Sequence, residues 1–191
     1  LYKELLNFCT VDLSAFYFDI RKDTLYCDPL SSQKRKSTLL VLNIILQCLL
    51  KWFAPILSFT TEEIYQLVSK KKNSIHLENF LNVPKKFENL ELNEKWSQLL
   101  KIRDVCNLSI EEKRASKEIG SSLEAAITIK INKQKLKILE GVDFAELCIT
   151  SLAEIKFHDT DEIDVQTNKA QGNKCPVCWK ISEEPCQRHG H

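Results

Sequence analysis

Methionine is absent from the 191-residue sequence. A chain without it cannot open on its own initiator. Leu1 also falls inside an apolar period (Leu1, Leu5, Leu6, Phe8) with no capping residue ahead of it. The expectation is a piece of a longer protein. Net charge is lacking too, since 27 Lys and Arg stand against 26 Asp and Glu. No overall basic field therefore advertises a polyanionic partner, although a local patch would suffice for one. There is no signal peptide, no internal repeat and no membrane-spanning run. Lys36 and Lys51 bracket about fourteen residues of the most apolar stretch, where a bilayer needs roughly twenty. These absences point to the cytosol and away from a membrane.

Cysteine, by contrast, is plentiful, with eight in the chain. Eight would suggest disulfides in a secreted domain. Cys9, Cys27, Cys48, Cys106 and Cys148, however, are scattered singly among apolar or mixed segments, where a reduced thiol behaves as a small hydrophobe. The remaining three sit together at the end.

The stretch from Ser37 to Ile64 organises the rest. Leu39 to Phe53 puts apolar groups on nearly every side of a helix, and such a helix is expected to be buried by its neighbours. Pro55 stops it. Thr60 then reads as the N-cap of a returning helix, with Glu63 reaching back to it and Phe59 packing on Ile64. Ahead of this pair, residues 1–22 read as helix with a break near Thr10, and Lys22–Pro29 as a turn, with Ser31 and Ser32 opening the central helix. The returning helix should fray into Lys70, Lys71 and Lys72, and residues 74–93 form an irregular connection. Asn93 caps a further helix reaching Lys117, ended by Gly120. Trp52, Phe53, Phe59, Tyr65 and Trp96 are assigned to the core, and Tyr17 and Tyr26 to core positions with a bonded hydroxyl.

Beyond Gly120 the pattern changes. Ala125–Ile131 alternates apolar and polar as a half-buried strand does. Short helices follow at 136–140 and 143–147, and short strands at 148–152, 155–157 and 163–165. The fold class is mainly α: a helical bundle over 1–119, a small α/β unit over 120–167, and a linker with a metal-binding tail over 168–191.

The tail reads Lys174-Cys175-Pro176-Val177-Cys178-Trp179-Lys180, then Pro185-Cys186-Gln187-Arg188-His189-Gly190-His191. Cys175 and Cys178 offer two thiolates from one knuckle, and Cys186 and His189 form a second pair at the same spacing. Four S/N donors in two close pairs suit tetrahedral zinc, and with all four bound the ion is structural, with no position left for a catalytic water. So short a tail has no core of its own, so metal would supply its folding energy. A redox pair, a disulfide and an unstructured tail are the alternatives, and His191 can stand in for His189 as fourth ligand.

Several segments together carry a family likeness. Asn7-Phe8-Cys9-Thr10-Val11-Asp12-Leu13-Ser14-Ala15-Phe16-Tyr17 and Lys22-Asp23-Thr24-Leu25-Tyr26-Cys27 resemble the anticodon-binding domain of bacterial-type isoleucyl-tRNA synthetases. So do Ala54-Pro55-Ile56-Leu57-Ser58-Phe59-Thr60-Thr61-Glu62-Glu63-Ile64 and Ile119-Gly120-Ser121-Ser122-Leu123-Glu124-Ala125. The terminal Cys-x-x-Cys-Trp resembles that family's zinc module. The corner after the central helix is shared with valyl, leucyl and methionyl relatives; the other segments favour isoleucyl. One departure stands out: the family usually closes its zinc site with a second Cys-x-x-Cys after a longer bridge, whereas here the bridge is short and ends in His189. The resemblance implies a cytoplasmic, monomeric ligase that joins isoleucine to its tRNA using ATP and magnesium. The H-I-G-H and K-M-S-K-S signatures of that chemistry do not occur in this sequence, so the chain should bind isoleucine tRNA and catalyse nothing.

Anticodon recognition needs planar groups to stack unpaired bases and cations for the flanking phosphates. Trp179 is a stacking candidate, with packing on the α/β unit as the alternative. Lys174, Lys180 and Arg188 surround it in sequence, and Arg21, Lys22 and Arg35 cluster about the first corner. A free-standing zinc-containing RNA-binding or interaction module is the second reading of the whole.

Overall fold

The computed structural model describes residues 2–69 and 73–189. The expected helix start at Leu1, the fraying lysines 70–72 and the alternative ligand His191 lie outside the described residues. The chain forms two compact units, one of Leu1–Asp23 with Asn89–His191, the other of Thr24–Glu88.

In the second unit, α3 spans Gln33–Phe53 and α4 Ser58–Val68. Ser32 caps α3 as expected, its Oγ accepting from the Arg35 amide at 3.3 Å. Pro55 ends the helix in a corner where the Leu57 amide donates to the Phe53 carbonyl at 2.7 Å. Helix α4 starts three residues earlier than the capping pattern predicted: Leu57 is its N-cap, without a side-chain cap, and the Thr61 hydroxyl donates to the Leu57 carbonyl at 2.9 Å. Phe59 is consequently 93 % exposed rather than stapled to the helix. The neighbouring Glu62, not Glu63, does the tying. Its carboxylate accepts from Gln66 Nε2 at 2.8 Å, Ser74 Oγ at 2.8 Å and the Ile75 amide at 2.9 Å.

The small core of this unit is Leu50, Ala54, Tyr65 and Ile75, with Leu46 half-buried against it. Tyr65 donates its hydroxyl to Glu78 Oε1 at 2.9 Å, and Lys51 Nζ lies 3.9 Å from Glu78 Oε2. The expectation of a helix covered all round is corrected here. Only Thr38, Cys48 and Leu50 of α3 are buried, whereas Leu39, Leu40 and Val41 are exposed. By length and composition alone α3 could cross a membrane.

In the first unit, α1 (Tyr2–Asn7) runs without the expected break into a wide π-helical stretch over Phe8–Phe18 and then α2 (Asp19–Cys27), whose residues from Thr24 onward are counted with the second unit. Thr10 sits where a break was expected and donates its hydroxyl to the Leu6 carbonyl at 2.8 Å. Tyr17 is half-buried, but Tyr26 is 84 % exposed. Helix α5 (Leu90–Ala115) is capped by Asn89 rather than Asn93, its side chain accepting from the Leu92 amide at 2.9 Å. It closes in a Schellman arrangement, with the Glu118 amide donating to Lys113 and the Lys117 amide to Arg114. Lys117, at φ 60°, takes the left-handed position expected near Gly120.

The strands β1 (Ala125–Ile131), β2 (Leu152–Phe157) and β3 (Asp164–Lys169) form a sheet ordered β2-β1-β3. The β1–β2 pair is parallel and the β1–β3 pair antiparallel. The parallel pair requires a crossover, supplied by α6 (Lys133–Leu139) and α7 (Phe144–Leu147). Ile127, Ile129 and Ile131 point into a core shared with Leu99, Ile102, Cys106 and Ile110 of α5. Burial of these branched side chains, about 1.5–3 kcal/mol each, holds α5 and the sheet together. Trp96 is half-buried against this core, edge-on to Phe16.

Candidate metal centre and nucleic-acid interface

The end of the chain is a hairpin of two short strands, β4 (Asn173–Lys174) and β5 (Ile181–Ser182), paired antiparallel. Between them the first Cys pair is turned back on itself: the Trp179 amide donates to the Cys175 carbonyl at 3.0 Å, and the Cys175 amide to the Lys180 carbonyl at 2.9 Å. Trp179 takes φ 65°, a left-handed backbone that non-glycine residues adopt at a cost. The second pair makes a similar turn, the His189 amide donating to the Cys186 carbonyl at 3.0 Å.

These two turns bring Cys175, Cys178, Cys186 and His189 together, with ligand atoms all within 4.8 Å of one another. Cys175 Sγ lies 3.5 Å and Cys186 Sγ 3.4 Å from His189 Nδ1, and Cys178 Sγ lies 3.8 Å from Cys186 Sγ. A tetrahedral ion with Zn–S and Zn–N bonds of about 2.3 and 2.0–2.1 Å requires donor separations of roughly 3.5–3.8 Å. The set fits a metal ion, with Nδ1 as the histidine donor. The three thiols are unbridged, and four donors about one point is a metal arrangement rather than that of a redox pair.

The thiols are electrostatically prepared unequally. The backbone amide of Cys178, followed against burial by that of Val177, holds the Cys175 thiol down at about 6. At Cys186 burial opposes ionisation, but the amides of Arg188 and His189 and the His189 side chain outweigh it, and the thiol lies below its ordinary value. Burial pushes the Cys178 thiol up. Oriented amides thus stabilise thiolate at two of the three sulfurs.

The residues expected to meet RNA fall into three settings. Trp179 is 59 % exposed at the tip of the knuckle, with Lys174 Nζ 5.6 Å from its ring centroid; it does not pack into the α/β core. Lys180 is half-buried beside it. Arg188 grips Asp23 with both terminal nitrogens, at 2.7 and 3.2 Å. That fork ties the tail to α2 across 165 residues of sequence, beside Arg21 and Lys22. Arg21 itself pairs with Glu146 at 2.9 Å, and Lys22 with Asp19 at 2.5 Å. Arg35 belongs to the other unit and donates to the Asp28 carbonyl at 2.6 Å.

Three structural residues escaped the sequence reading. Asp23 had no local signal, because its partner is remote. Ser151 accepts from the Ile181 amide at 2.6 Å and so rivets the hairpin to the sheet. Gly172, at φ 111°, lets the chain pass against Ser182; a lone glycine in a polar linker was the available hint.

A helix-rich body beside a small sheet, bearing a four-donor sulfur–nitrogen knuckle with an exposed indole, defines the class as a metal-knuckle recognition domain. Residues 1–130 match the model of the anticodon-binding domain of tRNA ligase, and the chain belongs to that family. It is 64% identical over 189 residues to an isoleucine–tRNA ligase of Pelagibacter ubique (strain HTCC1062), covering 99% of this chain and 21% of that protein. Isoleucine–tRNA ligases of Bartonella quintana (strain Toulouse) and Agrobacterium fabrum (strain C58 / ATCC 33970) are 42% and 40% identical, each over 95% of this chain and 20% of their own length. The chain therefore spans about a fifth of the length of these relatives.

Proposed function

We propose that this chain is the tRNA-recognising part of an isoleucine–tRNA ligase, and that its ligand is isoleucine tRNA. Within it, residues 1–119 form the helical body, 120–167 the junction and 168–191 the metal tail. The observation that carries the reading is the placement of Trp179, exposed at the tip of the knuckle with Lys174 and Lys180 beside it. A base can stack on the indole while the ammonium groups meet adjoining phosphates. Arg188, Arg21, Lys22 and Arg35 are secondary phosphate contacts in this proposal, since each already has a protein partner to give up.

The bound ion is zinc, held by Cys175, Cys178, Cys186 and His189. Its role is to fold the tail, since the donor set is closed. Isoleucine activation, ATP and magnesium belong to the remaining four fifths or so of the full enzyme, a cytoplasmic monomer on this reading. The alternative of a free-standing zinc-containing module is disfavoured by the length of the relatives.

The test pairs metal analysis with filter binding of isoleucine tRNA and a non-cognate control. One zinc per chain and cognate preference are expected. Trp179→Ala should weaken binding without changing its salt slope, whereas Lys180→Ala should lower the slope by about one unit or less. Identical behaviour of the two variants would remove the stacking role.

A further inference from the structure

Three of the four donors at the end of the chain are thiols, and the fourth is a ring nitrogen. That difference decides the charge of the centre. A zinc ion held by three thiolates and a neutral imidazole carries one net negative charge, and a fourth thiolate would make it two. The imidazole also sits where added charge would be felt most directly. Its Nδ1 lies between two sulfurs, with Cys175 Sγ at 3.5 Å and Cys186 Sγ at 3.4 Å. A sulfur in its place would set like charge against both.

The charges around the centre show why one unit matters. Between Asn173 and His189 the chain holds three cations, Lys174, Lys180 and Arg188, and two carboxylates, Glu183 and Glu184. With the imidazole as fourth donor the metal-loaded tail is neutral; with a thiolate it would be anionic. Arg188 is committed to Asp23 by its fork at 2.7 and 3.2 Å, which leaves Lys174 and Lys180 to meet an anion. Lys180 lines a cleft of about 270 Å³ together with Cys175, Cys178, Cys186 and Glu184. Lysine, glutamate and metal donors therefore act on one small volume. Lys174 Nζ stands 5.6 Å from the Trp179 ring centroid. The indole follows Cys178 directly in the chain, and its amide is tied to the Cys175 carbonyl at 3.0 Å. Whatever docks on Trp179 lies within the roughly 10 Å over which charge acts at 0.1 M salt.

We infer that His189 is the residue that sets the charge of the knuckle, so that a polyanion approaches Trp179 without meeting a doubly negative centre. The inference rests on the RNA-binding reading above and gives one metal donor a second role. Histidine and cysteine can both complete a tetrahedral zinc site. Only histidine completes it without adding charge.

The experiment compares the zinc-loaded wild-type protein with His189→Cys, with Gln187→Glu, and with His189→Cys combined with Glu184→Gln. Gln187 is exposed on the same turn, so its replacement adds the same charge without touching a donor. Chelator competition gives metal stoichiometry and affinity, and thiolate-to-metal absorption of the cobalt-substituted proteins reports the donor set. His189→Cys should keep one ion, through four thiolates. Its binding of isoleucine tRNA should fall about fivefold at low salt, and the gap should close as salt rises. Gln187→Glu should show the same loss, and Glu184→Gln should restore binding to the His189→Cys protein. A second readout involves no RNA. Iodide should quench Trp179 fluorescence less in His189→Cys than in the wild type, and caesium more, with the emission of Trp52 and Trp96 subtracted through Trp179→Phe.

Loss of the ion from His189→Cys overturns the inference, because the imidazole is then required for coordination itself. Unchanged quenching overturns it, as does a loss of tRNA binding that Glu184→Gln fails to restore. The two readings fail separately. Altered quenching in a protein that binds no tRNA sinks the tRNA reading and upholds the charge assignment. Binding of tRNA that is indifferent to the added charge sinks the assignment alone.

Discussion

Gly172 is the residue at which the tail is least tolerant of change. A β-carbon there would lie 2.1 Å from the Ser182 carbonyl oxygen and 2.5 Å from the Glu183 nitrogen, on a backbone at φ 111°. Gly172→Ala should therefore push β5 out of register and weaken metal binding, measured by competition with a chromophoric chelator. Gly141 provides the control: its φ of 76° is also left-handed, but nothing lies within 4 Å. Gly141→Ala should cost only about 1 kcal/mol and leave metal affinity alone. Glu62 shows a second kind of residue effect. The Gln66 side chain, then the Ile75 amide and Ser74 hydroxyl, hold its carboxyl below the usual value. A depressed folded-state value contributes stability that is complete above the unfolded value and is lost as pH falls through the folded one. Glu62→Gln should thus melt below the wild type at neutral pH, with the gap narrowing below about pH 4; a gap constant with pH would show that the ionised form contributes nothing. The sequence pattern pointed to Glu63 because capping rules are local. The partners that select Glu62 lie 12 and 13 residues away.

At the scale of an element, α3 separates what composition reveals from what it cannot. Its start at Ser32 and its end before Pro55 were both legible, because capping and proline chemistry act within a turn. Its coverage was not. An apolar run states that a helix needs a partner, but which face finds one depends on how the next helix crosses it. Leu50, 3 % exposed, belongs to the core, whereas Leu40 is 62 % exposed. Leu50→Ala should accordingly cost about 2–5 kcal/mol, while Leu40→Asp should stay within about 0.5 kcal/mol of the wild type, both read from thermal or urea unfolding. Collapse of the Leu40→Asp protein would restore the expectation of a helix covered on every side. The end of α5 teaches the same lesson in reverse. Glycine is the usual left-handed residue after a helix, yet Lys117 occupies that position, and its neighbours Lys113 and Glu118 pair at 2.8 Å across the turn. The strand β1 was readable almost to the residue, because alternation of isoleucine with polar residues is a period that no helix shares.

For the molecule as a whole, the tail is the part whose folding is conditional. Apart from Cys175 and Cys178, its described residues from Asn173 to His189 are half-buried or exposed, so they contribute almost no apolar core. What fixes the tail is the four-donor cluster, the Ser151–Ile181 bond and the Arg188–Asp23 fork. The first of these was legible in the sequence, since ligand pairs are set by spacing within a turn. The other two were not, because they join segments 30 and 165 residues apart. The fork is half-exposed, with side chains 30% and 31% accessible, and such pairs contribute about 1 kcal/mol or less. On this accounting a metal bound by the four donors would supply most of the tail's stability. Chelation under reducing conditions should release amide protection across 173–189 while Ile127, Ile129 and Ile131 in β1 keep theirs, read by hydrogen exchange with and without zinc. Asp23→Asn in the zinc-loaded protein should raise exchange in the tail only slightly. Should Asp23→Asn free the tail as fully as chelation does, the docking fork rather than the metal would be what holds it, and the order of contributions argued from burial would be reversed.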